Sequence, residues 1–264
     1  MESNNIKLVL SKPRYSPLHL ILLLSFELVI MAVGTAYLMT HSFGVLFPSP
    51  LPKILAAEMA VDGIPDSVAY RGKYDFPGAD WFTMNIPVWE KVLEPFKGKP
   101  GVNYLEIGVF EGRSLIWMLE NILTDPTARV TGVDIFDQST YNYKDNYFKN
   151  VEKSGAADKV TMIQDFSQVA LRGLPLGSFD IIYIDGSHAK DDVLEDAVLS
   201  WRLLKEGGVL IFDDYTWAGH SFNRTSVDPV ESPKVAIDPF VQCFGEHLEV
   251  IHNSRQLIVK KLSL

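Results

Sequence analysis

Thiol chemistry is nearly absent from this sequence, which has a single cysteine, Cys243, in 264 residues. One thiol makes no intrachain disulfide and no cysteine-built zinc cluster, and Cys243 reads as a small buried apolar residue. Excess positive charge is also missing. The net charge is -9, which argues against nonspecific nucleic-acid binding over a broad basic surface, and no nucleic-acid partner is expected. Internal repeats and low-complexity tracts are lacking too. What remains is 47% hydrophobic and 22% charged, the balance of a globular chain rather than a disordered one. The length suits one ordinary domain with its own core plus an appendage.

Residues 1–17 read as an N-terminal tail. The run Leu18 to Met39 is then long enough to cross a hydrocarbon core of about 30 Å as a helix. Its one acid, Glu27, costs roughly 3 kcal/mol at mid-membrane, which about a dozen large apolar residues outweigh. Lys7, Lys12 and Arg14 precede the run and only Lys53 follows closely. That bias puts the N-terminus in the cytoplasm and predicts a single-pass membrane protein. The run is longer than the apolar part of a cleaved signal peptide. Residues 40–80, with Pro48, Pro50, Pro52, Pro65 and Pro77, read as a connector.

From residue 81 to 264 strand-like and helix-like segments alternate. Strands are expected at Val102–Ile107, Arg129–Asp134, Lys159–Ile163, Phe179–Ile184 and Val209–Phe212. Helices are expected at Gly112–Leu123, Tyr141–Ser154, Asp191–Lys205 and about Lys234–Phe244. Leu194, Ala197, Val198, Trp201 and Leu204 would form the apolar face of the third helix, with Gly207 and Gly208 capping its end. Leu248–Ile251 and Gln256–Lys260 flank a closing hairpin at Asn253-Ser254. The pattern predicts an α/β fold: a doubly wound, mainly parallel Rossmann-like sheet with a C-terminal antiparallel hairpin, preceded by one transmembrane helix. Ligands of such sheets bind beyond the carboxyl ends of the strands, so candidate site residues are those just after each strand.

The first strand ends in Glu106, followed by Gly108 and Gly112, which permit a tight turn and close backbone approach to a ligand. Asp134 ends the second strand, 26 residues beyond Gly108, near the spacing at which an acid meets a ribose. The glycine pattern is Gly-x-x-x-Gly, not the Gly-x-Gly-x-x-Gly of a nicotinamide site. An acid at Glu106 suits a ligand with a cationic amine, as S-adenosylmethionine has. On the opposite side, Asp185 and His188 follow the fourth strand and Asp213-Asp214 end the fifth. Three carboxylates converging there repel one another unless protonated or bound to a cation. A hard divalent ion such as Mg2+ answers that. His188 has a pKa suited to accepting a proton near neutrality.

LEIGVFEGRS, VTGVDIFD, IDGSH and LLKEGGVLIFDD, in this order, resemble class I S-adenosylmethionine-dependent methyltransferases over roughly residues 80–264. The likeness is greatest to the metal-dependent branch similar to catechol O-methyltransferase and to antibiotic-tailoring O-methyltransferases. It implies that Glu106 and the backbone at Gly108 hold the methionine end of the donor, that Asp134 holds the ribose, and that Gly112 belongs to the same cofactor site. It implies that Ser167 and Gln168 meet the adenine, with Phe166 beside the ring. Asp165 stands where the family often has glycine, and the residues alone leave Ser167 as either an adenine contact or a helix cap. The resemblance also implies a metal at Asp185, Asp213 and Asp214, with Asp185 and His188 as catalytic residues. The expected activity is O-methylation of a small hydroxylated or sugar-like acceptor, by a chain compatible with homo-oligomers. A noncatalytic membrane-anchored scaffold with this fold is the competing reading, since fold alone does not fix function. Trp217 reads as an acceptor-pocket wall or a loop anchor, and Trp89 as packing.

Overall fold

The computed structural model describes residues 7–10, 73–136, 142–217 and 232–263. Eight strands form one sheet: β1 (Lys7–Leu10), β2 (Asn103–Ile107), β3 (Arg129–Asp134), β4 (Val160–Gln164), β5 (Phe179–Ile184), β6 (Leu204–Phe212), β7 (Leu248–Asn253) and β8 (Leu257–Lys261). Among the described residues six α-helices accompany them: α1 (Ile86–Leu93), α2 (Arg113–Asn121), α3 (Tyr143–Ser154), the single turn α4 (Ser167–Ala170), α5 (Lys190–Leu203) and α6 (Pro233–Phe244). The sheet order is β1-β4-β3-β2-β5-β6-β8-β7. Pairings are parallel from β1 through β6. β8 is antiparallel to both β6 and β7. The chain moves outward from β2 in one direction through β3 and β4, then in the other through β5 and β6. The switch point therefore lies where β2 meets β5.

Two cores, one on each face, follow from strand alternation. Tyr104, Ile181, Tyr183, Ile211 and Ile258 join Trp89, Trp117 and Tyr147 from α1, α2 and α3. Leu105, Ile107, Ile182, Leu210, Phe212 and Val259 join Ala197, Trp201, Ile237 and Phe240 from α5 and α6. Each such large apolar side chain contributes about 1.5–3 kcal/mol when fully buried. Strands apolar on both faces are what a parallel sheet covered on both sides requires.

Four expectations are corrected. First, the N-terminal tail contributes a strand: Lys7–Leu10 pairs with Thr161–Gln164. The run 18–39 lies outside the described residues, among which no helix is long and apolar enough to cross a membrane. Second, the domain begins before residue 81. Tyr74 is buried, and Asn150 binds Asp75 through its N–H (2.8 Å) and its carbonyl (2.8 Å). Glu111 accepts the Gly78 N–H at 3.1 Å. Aromatic burial and these bonds make the end of the connector a strap over α2 and α3.

Third, α5 is rotated from the expected face. Val193, Asp196, Ala197, Ser200 and Trp201 point inward, whereas Leu194 and Val198 are 40% and 42% exposed. The bulk of Trp201 against Phe240 sets the phase, and two polar residues are buried with it. Gly207 and Gly208 do not cap this helix. They lie inside β6, where the pairing with β5 shifts register. What serves the helix end is the buried Lys261 Nζ, donating to the Trp201 and Leu204 carbonyls at 2.8 Å each. Fourth, Cys243 is exposed, because it falls on the outer face of α6 whose inner face is Ala236, Ile237 and Phe240.

Candidate active site

Every candidate acid lies on the carboxyl rim of the sheet. The three described non-glycine residues with positive φ sit there as well: Phe110 (46°), Phe136 (49°) and Asp214 (50°). Such backbone strain persists where surrounding structure overrides it, and it gathers at ligand sites.

On the β2–β3 side, Glu106 is fully buried. Its carboxylate accepts from the Tyr104 hydroxyl at 2.6 Å and the Ser114 hydroxyl at 2.5 Å. Burial pushes its pKa up to about 8, against the lowering effect of those two bonds. Among the described residues both of its side-chain partners are neutral hydroxyls, which suits a carboxyl that can receive an ammonium group. Asp134 accepts the N–H groups of Val109 (2.9 Å), Phe110 (3.1 Å) and Phe136 (2.7 Å). Burial raises its pKa and these bonds oppose the rise. Asp134 thus shapes the loop after β2, and a carboxylate with about four lone-pair sites has capacity left for ribose hydroxyls.

Gly108 (φ 83°) joins the two halves of the rim. A Cβ there would stand 2.1 Å from the Asp185 carbonyl oxygen, so only glycine fits. Gly112 (φ 83°) is the N-cap of α2 and leaves that helix's first N–H groups facing the rim.

The adenine candidates fare differently. Gln168 donates to Asp192 at 2.9 Å, and Ser167 opposes the rise that burial imposes on the pKa of Asp196, to about 7. The helix cap is Phe166 rather than Ser167, and its side chain is 60% exposed. Asp165 takes the Phe166 N–H with one oxygen at 2.8 Å and keeps the other buried without a partner.

On the β5–β6 side, Asp185, Ser187, His188, Asp213, Asp214 and Pro233 line one cavity. The Tyr183 hydroxyl lies 2.8 Å from the Asp185 carboxylate and also contacts Asp213. Burial raises the pKa of Asp185 well above the carboxylate range, reinforced by Asp213 and then Asp214. Burial also raises that of Asp213, opposed by the Tyr183 bond. Asp214 turns instead to His188, with 2.7 Å between its carboxylate and Nε2. The His188 ring stacks on Trp217 at 4.4 Å between centroids and 27° between planes. The loop aromatic therefore fixes the imidazole.

The expected three-acid ring is not formed. Among the described residues no three His, Cys, Asp or Glu side chains stand in metal-holding geometry, because Asp214 is engaged by His188. Asp185 and Asp213 stay side by side at the Tyr183 hydroxyl, two carboxylates that repel one another while both are charged.

Sequence reasoning missed Tyr183 and Gln256. Tyr183 was legible, since it lies two residues before Asp185 and so shares its sheet face. Gln256, on the hairpin turn, carried no local signal. Trp89, read as packing, also donates to Gln256 at 2.8 Å.

The family described as a methyltransferase domain matches residues 105–215. A tapetum-specific methyltransferase of Arabidopsis thaliana is 32% identical over 55% of this chain and 61% of its own length. A catechol O-methyltransferase of Mycobacterium tuberculosis is 27% identical over 54% of this chain and 60% of its own length. The chain thus spans about three-fifths of these curated relatives. Among solved structures, the O-methyltransferase TomG of Streptomyces achromogenes, involved in tomaymycin synthesis and crystallised with S-adenosylmethionine, superposes with a TM-score of 0.53. It is 15% identical and the match covers 72% of this chain and 84% of that one, a likeness of fold.

Proposed function

We propose that this chain, whose residues 105–215 form a class I S-adenosylmethionine-dependent methyltransferase domain of the catechol- and caffeoyl-CoA-type O-methyltransferase branch, methylates a hydroxyl of a small hydroxylated or sugar-like acceptor. The observation that carries the proposal is the joining of two unlike half-sites through the Gly108–Asp185 contact. One half offers a buried carboxyl and a loop of N–H groups to a donor. The other offers acids and an oriented imidazole to an acceptor.

In the proposed reaction the donor's ammonium faces Glu106 and its ribose hydroxyls face Asp134. The acceptor oxygen attacks the methyl carbon, the carbon–sulfur bond breaks, and S-adenosylhomocysteine leaves with the electron pair on sulfur. His188, held by Asp214 and Trp217, takes the proton of the acceptor hydroxyl on its imidazole, with its Nε2–H directed at the Asp214 carboxylate. Asp185 and Asp213 would hold a magnesium-like ion, whose charge lowers the pKa of a bound hydroxyl. Holding both partners in line supplies much of the rate enhancement.

The apolar run 18–39 supports membrane attachment, and β1 constrains its form. With β1 in the sheet, the run attaches without a net crossing, so N-terminal and C-terminal glycosylation tags in microsomes should share one modification state. Opposite states would restore a single crossing and remove β1 from the sheet.

The activity is tested by transfer of labelled methyl from S-adenosylmethionine to catechols and simple sugars by the full chain, with and without Mg2+. Product formation that drops at least about 100-fold in His188→Ala is expected from loss of a general base. A folded chain that binds the donor yet transfers to no acceptor supports the scaffold reading instead.

A further inference from the structure

We propose that the strap formed by residues 73–82 is part of the donor site, and that Glu111 is the positioning residue through which it sets the shape of the donor loop. The inference rests on the reading that Glu106, Asp134 and the loop between β2 and α2 receive S-adenosylmethionine.

That loop is strained. Gly108 (φ 83°), Phe110 (φ 46°) and Gly112 (φ 83°) are all left-handed. Such a conformation persists only where its surroundings over-determine it. Asp134 supplies part of the restraint from the sheet by accepting the Val109 and Phe110 N–H groups. A second part comes from Glu111, which lies between the last two left-handed residues and is buried.

The Glu111 carboxylate accepts the Gly78 N–H of the strap and the Asn146 side-chain amide of α3, each at 3.1 Å. Its backbone carbonyl accepts the Asn150 side-chain amide, also at 3.1 Å. Asn150 is fully buried, and it is the same side chain that holds Asp75 through both its N–H and its carbonyl. One acid and one amide thus clasp loop, strap and α3 together. The strap also presses on the loop directly. A Cβ at Gly78 would stand 2.7 Å from the Phe110 ring and 3.0 Å from the Glu111 carboxylate. The Trp81 ring lies against Phe110 with centroids 5.7 Å apart, and Asp80 pairs with Arg113 at 3.3 Å where the loop enters α2. A loop shaped in advance by such supporting contacts binds more tightly, because less ordering is left to occur on binding. The coupling is reciprocal: a donor that favours the shaped loop favours the docked strap by the same factor.

The test uses the full chain and reads two quantities, calorimetric affinity for S-adenosylhomocysteine and hydrogen exchange at the Gly78 amide. Glu111→Ala removes both carboxylate contacts. Gly78→Ala displaces the strap while leaving Glu106, Asp134 and Glu111 in place. Each is expected to weaken S-adenosylhomocysteine roughly 10-fold in chains whose urea transition shows them folded, and Gly78→Ala decides alone where Glu111→Ala does not fold. Glu111→Gln is expected to recover affinity, since its oxygen still accepts from Gly78 and its NH2 meets the Asn146 carbonyl once that amide turns over. In the wild type, saturating S-adenosylhomocysteine is expected to slow exchange at Gly78 by a similar factor, roughly 10-fold. Unchanged affinity in the folded variants, or exchange at Gly78 indifferent to the ligand, would overturn the role of the strap and leave the donor site standing. No S-adenosylhomocysteine binding by the folded wild-type chain would overturn the donor reading and this inference with it.

Discussion

The two halves of the rim treat buried acids in opposite ways. Between β2 and β3, Glu106 and Asp134 are surrounded by donors: two hydroxyls on the first and three backbone N–H groups on the second. Between β5 and β6, Asp185, Asp213 and Asp214 crowd one cavity and share one phenol and one imidazole. The first half is a cradle that the fold itself needs, since Asp134 holds the loop after β2 in shape. The second is a concentration of like charge that the fold does not need and that weakens it. Such a cluster is intelligible as function maintained against stability.

The most severe way to break the comparison is at its junction. Gly108→Ala drives a Cβ into the Asp185 carbonyl and demands φ near 83° of an alanine. Overpacking and backbone strain together predict a loss of roughly 3 kcal/mol or more, read as the shift in urea midpoint. A neutral effect would mean the two halves are not in contact. The next effect is a pH dependence. Glu106 rises from 4.5 to about 8 on folding, so between those values the folded state holds a proton that the unfolded chain has released. Stability of the donor-free chain therefore falls as pH rises through that window and levels off above it. Glu106→Gln should flatten its share of the slope, and S-adenosylmethionine should reverse it by supplying an ammonium.

Smaller changes separate the halves directly. Asp134→Asn turns an NH2 toward N–H donors and should destabilise by about 1–3 kcal/mol, the cost of a buried donor left unpaired. Asp185→Asn keeps an oxygen for Tyr183 while removing a repelled charge, and should stabilise the metal-free chain by about 1 kcal/mol. Paired urea titrations of these two variants sharpen the comparison. Equal signs would erase it.

Much of this was legible from residues. Period-two apolar strands separated by helical spacing implied the two-faced parallel sheet, and glycines and acids at strand ends implied the rim. The structure brings Glu106, Gly108 and Asp134 into one half and Asp185, His188, Asp213 and Asp214 into the other, as that pattern requires. What stayed hidden depends on long-range geometry. The phase of α5 was misjudged because Leu194 and Val198 look as apolar as the residues that are buried, and only contact with Phe240 decides. Lys261 capping α5 lies 57 residues from Leu204, beyond any local pattern. Asp214 pairing with His188 rather than closing a ring depends on its strained backbone. β1 was invisible because four residues beside an edge strand leave no periodicity to read.

The central claim is that the β2–β3 half is a donor cradle. Calorimetric titration of the full chain with S-adenosylmethionine tests it most directly, beside Asp134→Ala and Glu106→Gln. The account predicts saturable binding by the wild type, weakened in Glu106→Gln and lost in Asp134→Ala. A folded wild-type chain that binds no donor, or an Asp134→Ala variant that binds it as tightly, would contradict the account.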